Sequence, residues 1–152
     1  MNPPSECSRL HVYLIKPSKY DDDGFPVRHW RGIVPSNTLA CLYGLTEEVR
    51  ARQVLGAVQI KAHAVDETVC KVPLSTIARL HRPPGERVLA CLVGVQSNQF
   101  PRAADLALAL RRRGVQVMIG GFHVSGMLAM FPQGSPEIRA LMEAGVSVVA
   151  GE

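Results

Sequence analysis

The chain has 152 residues, 47% of them apolar and 20% charged, a length for one domain with its own core and a composition that excludes a disordered chain. Its apolar runs are too short to span a bilayer, and its amino terminus, MNPPSECSRLH, lacks the apolar segment of a signal peptide, so the cytoplasm is the expected compartment and no membrane partner is expected. The net charge of +4 gathers at Arg111, Arg112 and Arg113, which suits a helix carboxyl end; with no basic stripe interleaved with aromatics, nucleic acid is not an expected partner.

Leu10 to Lys16 reads as a first strand. Lys16 to Pro35 has no helical or strand period and holds three prolines and two glycines, so it reads as a long loop of the kind that carries function. Within it Asp21-Asp22-Asp23-Gly24 lacks the alternate-residue spacing of a calcium loop and reads as a hydrated turn. Ser36 or Asn37 caps a helix that runs to Arg52, and Gly44 costs it roughly 1 kcal/mol and is a place for it to break. Val54 to Glu67 alternates as a half-exposed or edge strand. Pro73 opens a short helix with Ile77 and Leu80 inward, and Pro83-Pro84-Gly85 ends it.

Val88 to Val95 is near-continuously apolar, as a central parallel strand is. Pro101 to Arg113 is a strong helix, and Val115 to Ile119 a fourth strand. Phe122, Val124, Met127, Leu128, Met130 and Phe131 form an apolar, Met-rich segment too closely flanked by glycine and proline for a long core helix. It reads either as a short buried helix or as a face exposed for a partner. Ser135-Pro136-Glu137 supplies cap, first-turn proline and first-turn acid to a helix from Ile138 to Ala144. Val146 to Ala150 is a fifth strand, and the chain stops as that strand exits, which reads as a domain cut from a longer protein. Five alternations of strand and helix predict an α/β, doubly wound, five-stranded parallel sheet with right-handed crossovers.

In such sheets ligands bind at the carboxyl ends of the strands. Two loops are placed there. Ser97, Asn98 and Gln99 follow the third strand, where they serve as helix cap or as ligand contacts. Gly120, Gly121, Phe122, His123 and Ser125 follow the fourth, where three glycines surround two hydrogen-bonding side chains and the backbone N–H groups can form a concavity for an anion or amide. No GxGxxG or Walker-type motif follows any strand, so nucleotides are not favoured. The four cysteines, Cys7, Cys41, Cys70 and Cys91, form no CxxC pair, and Cys41 and Cys91 read as buried small apolar residues.

KPSKYDDDG, PSNTLACLYGL, VGVQSNQFPRA and IGGFHVSG, in that order, resemble the N-terminal cobalamin-binding domain of radical SAM proteins over nearly the whole chain. The resemblance implies a flavodoxin-like (Rossmann-like) fold with the corrinoid across the carboxyl ends of its strands. It implies Ser97 in the serine position lining the nucleotide-tail cavity, Gly120 and Gly121 where the tail passes the backbone, and contacts from Ser36 and Asn37. The superfamily's DxHxxG is partly present: His29-Trp30-Arg31-Gly32 supplies HxxG, but Val27 stands in the Asp place and Gln99 in the place of the serine motif's leucine. An Asp there would orient the histidine, so the expectation is cobalamin with no protein imidazole under the cobalt, His29 being the one residue weighed as a cobalt ligand. CxxxCxxC is absent. The expected role is therefore a module, not catalytic alone, that presents its corrinoid to a radical SAM domain in cis or in trans. The iron–sulfur cluster and S-adenosylmethionine are expected only in that domain, and exposed apolar residues predict self-association of the isolated chain. The alternatives are a cofactor-free docking domain, or a small enzyme acting on a phosphorylated metabolite with His123 as acid or base.

Overall fold

The computed structural model describes residues 7–32, 34 and 36–151. The amino-terminal stretch read for a signal peptide (1–6), two positions of the long loop (33 and 35) and the last residue (152) lie outside them. Five strands, β1 (Arg9–Lys16), β2 (Gln59–Asp66), β3 (Glu86–Leu92), β4 (Gln116–Gly120) and β5 (Ser147–Val149), form one sheet in the order β2-β1-β3-β4-β5. Every pairing is parallel. The helices are α1 (Asn37–Ala51), α2 (Leu74–Leu80), α3 (Phe100–Arg111), α4 (Phe122–Met130) and α5 (Pro136–Glu143). This is the doubly wound, flavodoxin-like α/β arrangement that the alternation predicts. The strand order reverses between β1 and β3, so the switch-point crevice opens between the loops that follow those two strands.

The two sheet faces are covered unequally. On one, Ile77 of α2, Leu106 and Leu110 of α3, Val124 of α4 and Ile138 and Leu141 of α5 bury Ile15, Val88, Ala90, Leu92, Val117 and Ile119. On the other, Leu39 of α1 packs with Val12, Leu14, Ile60 and Val93 in a much smaller cluster. An open apolar hollow of about 260 Å³ remains there, bordered by Leu10, Val12, Leu42, Leu45 and Val49.

Several expectations are corrected. β2 starts at Gln59 and not Val54, because the chain leaves α1 through turns with positive φ at Gln53 and Gly56. α1 continues through Gly44, which faces open space. Cys41 is exposed; two residues on from buried Leu39, it falls on the opposite side of the helix. Phe122, His123 and Ser125 lie not in a loop but in the short helix that is one of the two readings of the apolar segment. It is α4, started where Gly121 at φ 139 turns the chain out of β4, and seated by Val124, Met127 and Leu128 at helical spacing. The Asp-rich segment is an exposed turn, as expected: Asp21 Oδ1 accepts from the N–H groups of Asp23 (3.1 Å) and Phe25 (2.8 Å).

Candidate functional site

Four helices begin at the carboxyl edge of the sheet: α1 after Ser36, α2 after Pro73, α3 after Gln99 and α4 after Gly121. Their positive dipole ends favour anionic or polar ligand groups there. Ser36 is engaged as the cap of α1, its Oγ accepting from Leu39 N–H at 3.3 Å; Asn37 is exposed beside it. α3 has no side-chain cap. Gln99 folds back so that its Oε1 accepts from Gln96 N–H at 3.1 Å. This leaves Ser97 and Asn98 exposed and free of capping duty.

Ser97 instead meets His123. The His123 Nδ1 lies 3.1 Å from Ser97 Oγ, its ring leans on Phe100 at 4.4 Å between centroids, and its backbone N–H donates to Val95 O at 3.0 Å. The loop after β3 and the first turn of α4, 26 residues apart, are thus joined. The other ring nitrogen, Nε2, is enclosed and has no hydrogen-bond partner among the described residues. An enclosed unpaired nitrogen is costly in a folded protein and marks a place where a ligand group or water completes the bonding.

At both glycines the chain itself crowds the place of a Cβ. A Cβ built on Gly121 falls 2.2 Å from Val95 N and 2.7 Å from Gly94 C. Gly121 is glycine because the backbone of the β3–α3 loop lies against it. At Gly120 the same direction meets Val149 at 3.3 Å. Ser125 is also taken: its Oγ donates to Gly151 O at 3.0 Å and accepts from Gly151 N–H at 3.2 Å. Gly94 lies inside the apolar run read as the third strand, where nothing local marks it. Its φ of +61 and the Thr38 methyl 3.2 Å from its Cβ position bring α1 against the loop at the switch point.

The anchor of the long loop carries no local sequence signal. Glu67, just past β2, is 0% exposed. It accepts from the Ser18 N–H at 3.1 Å, and from Arg102 Nε at 3.1 Å and Nη2 at 2.5 Å. Arg28 approaches the same carboxylate at 3.8 Å. Tyr20 donates to Asp105 at 2.5 Å, and its hydroxyl pKa is raised, first by burial and then by that bond. For Arg102, burial opposes its charge, but the bonds to Glu67 and Tyr20 outweigh that and raise its pKa. Loop residues 18–28 are therefore strapped to β2 and α3 by a buried ion cluster. His29 lies just beyond the strap, exposed, with its backbone N–H donating to Thr68 O at 2.6 Å.

Large apolar side chains are left out of the core at this edge. Trp30 (90% exposed), Val34 (77%) and Phe122 (77%) are the most exposed of those described. The first two ride on the loop after β1, and Phe122 opens α4 after β4. Among the described residues no group of three or more His, Cys, Asp or Glu could hold a metal ion, and no helix is long and apolar enough to cross a membrane. No family model, curated protein or solved structure matches the chain.

Proposed function

We propose that this chain is a cobalamin-binding module that holds a corrinoid over the carboxyl edge of its sheet and presents it to a radical SAM catalytic domain. The observation that carries the reading is the character of that edge. It carries an exposed apolar rim, Trp30 and Val34 on the loop after β1 and Phe122 at the start of α4, and the polar pair Ser97–His123, whose Nε2 lacks a partner among the described residues. A corrinoid is large, with apolar ring faces and an amide- and phosphate-bearing periphery, and it matches such a mixture. Ser97, Asn98 and His123 would hold polar groups. The rim side chains would cover apolar surface, with the helix amino ends of α1, α3 and α4 beside them. Bound cobalamin supplies the methyl-transfer or one-electron chemistry of cobalt. The chain's own part is to orient the ring, exclude water from one face and leave the other face to the partner domain.

The test is an absorbance titration of hydroxocobalamin with the purified chain, followed by gel filtration. The reading expects altered corrin bands and red colour eluting with the protein, both weakened in Ser97→Ala. A free-cobalamin spectrum with no co-elution overturns it. The Ser97–His123 pair also supports a second reading, an enzyme on a phosphorylated metabolite in which His123 exchanges a proton with substrate. A phosphate-dependent shift of the His123 imidazole resonances, without cobalamin binding, would favour that one.

A further inference from the structure

Away from the carboxyl edge, three adjacent strands bring a carboxylate and two imidazoles into line. His11 of β1 is 4% exposed. Its Nε2 lies 3.1 Å from Glu86 Oε2 on β3, and its Nδ1 lies 3.1 Å from His63 Nε2 on β2. The two imidazole centroids are 5.4 Å apart with 19° between planes. With nitrogens facing at 3.1 Å, that is rings meeting edge to edge, the geometry of an N–H···N hydrogen bond. Tyr13, the cross-strand partner of His63, stacks flat on it at 4.2 Å and 9°. Among the described residues His63 Nδ1 has no hydrogen-bond partner, and the ring is half-buried.

Valence fixes the protons. A carboxylate only accepts, so His11 Nε2 carries a hydrogen. In the neutral ring His11 Nδ1 is then a lone pair, and His63 Nε2 must donate to it. One added proton is accommodated in either of two ways. It can sit on the outward Nδ1 of His63, or on His11 Nδ1 with His63 changing tautomer. In both the bridge survives. A second added proton sets N–H against N–H and cation against cation, and the bridge must part.

We infer that Glu86, His11 and His63 form a proton-counting latch that keeps the edge strand β2 on β1, closed with no more than one extra proton and sprung by the second. The surrounding charges set its bias. Glu86 favours the first proton. Arg9 of β1, 2.7 Å from Glu86 Oε1, and Lys61 of β2 oppose the second. Arg87 on β3 and Arg79 at the end of α2 are the further cations of the neighbouring elements, whereas His81, whose Nδ1 accepts from the Val88 N–H at 3.1 Å and whose pKa is lowered by burial and then by Arg87, stays neutral. On α3, Arg111 is turned to the carbonyls of Val115 and Ala144. Burial, with His11 and Lys61 adding to it, holds the His63 imidazole below its ordinary range. The latch therefore opens on acidification below the usual histidine region, in steps that belong to the pair and not to either ring. Strand β2 runs from His63 to Asp66 and on to Glu67, which straps the long loop. Acid release of β2 would reach the carboxyl edge by that route, whatever ligand the edge takes.

The test uses the full chain and two measurements. In amide hydrogen exchange, corrected for intrinsic rates, protection of β2 relative to α3 should fall on acidification below the usual histidine range, by up to about tenfold per pH unit. The step should vanish in His63→Phe, which keeps the ring stacked on Tyr13 and removes the relay. An unchanged pH profile in His63→Phe overturns the latch. Imidazole nitrogen NMR of the wild type needs no variant. It should show Nε2–H tautomers for both His11 and His63 at neutral pH. An Nδ1–H tautomer for His63 together with a protonated Nδ1 on neutral His11 is incompatible with the relay.

Discussion

Arg102 is the residue whose loss should be felt most at the carboxyl edge. Its guanidinium makes the shortest of the bonds to a carboxylate with no exposed surface. In Arg102→Met the apolar stem is kept, and Glu67 is left with the Ser18 N–H and with Arg28 at 3.8 Å. Removing one partner of a buried pair costs about 3–5 kcal/mol, because the other charge stays desolvated and unpaired. Against a total of roughly 5–15 kcal/mol for a domain, that is a large share. Glu67→Gln should cost less, about 1–2 kcal/mol. Its amide oxygen still accepts from Ser18, and Arg102, being part exposed, recovers water. Urea unfolding followed by circular dichroism measures both. With a slope of about 2 kcal/mol per molar, Arg102→Met should lower the midpoint by about 1.5–2.5 M. If Arg102→Met costs less than Glu67→Gln, or under about 1 kcal/mol, the cluster is not the strap described. Exchange at the amides of residues 18–28 separates loop release from general loss of stability: the strap requires those amides to lose protection before α3 does.

Three further outcomes follow from the same geometry. Gly121→Ala should destabilise the chain by more than about 2 kcal/mol, since it adds a Cβ at φ 139 against the Val95 backbone, whereas Gly44→Ala, with nothing within 4 Å, should stabilise α1 by up to about 1 kcal/mol; thermal unfolding of the two variants checks the opposite signs. Burial raises the Asp66 carboxyl pKa, but the bonds from Thr68 and the charge of Lys16 outweigh that and hold it below its ordinary value, so it adds stability above the normal carboxylate range that is lost as pH falls through the lowered value; Asp66→Asn should flatten the acid limb of a stability–pH curve. The exposed rim at Trp30 and Phe122 and the open hollow beside α1 should make the free chain bind a hydrophobic dye and associate; a monomer by light scattering with no dye binding would refute this.

The elements most legible in the sequence were those whose signals are local. Ser135-Pro136-Glu137 announced α5, and the structure shows Ser135 Oγ accepting from Ile138 N–H. The unbroken run from Val88 marked β3 as central because both of its faces are buried, and the alternation in β2 marked an edge because one is not. Glu67 could not be read this way. Its partners, Ser18 and Arg102, lie 49 and 35 residues away, and nothing in Val65-Asp66-Glu67-Thr68 distinguishes a buried carboxylate from a solvated one. The same holds for the Glu86–His11–His63 line, which exists only through the register of three strands.

Gly120-Gly121 shows where the sequence signal divides. Two glycines at a strand end state that something approaches the backbone closely, and the structure agrees that something does. They do not state what. At Gly121 the neighbour is the chain itself, the backbone at Gly94 and Val95, and this contact draws the β3–α3 loop and α4 together until His123 reaches Ser97. The glycine thus acts on the site indirectly, by setting the distance between two polar side chains. A Gly121 substitution that abolishes ligand binding would report on that distance and on folding at once. Ser97→Ala and Trp30→Ala, which leave the Gly121–Val95 contact in place, are the variants that can report on the ligand alone.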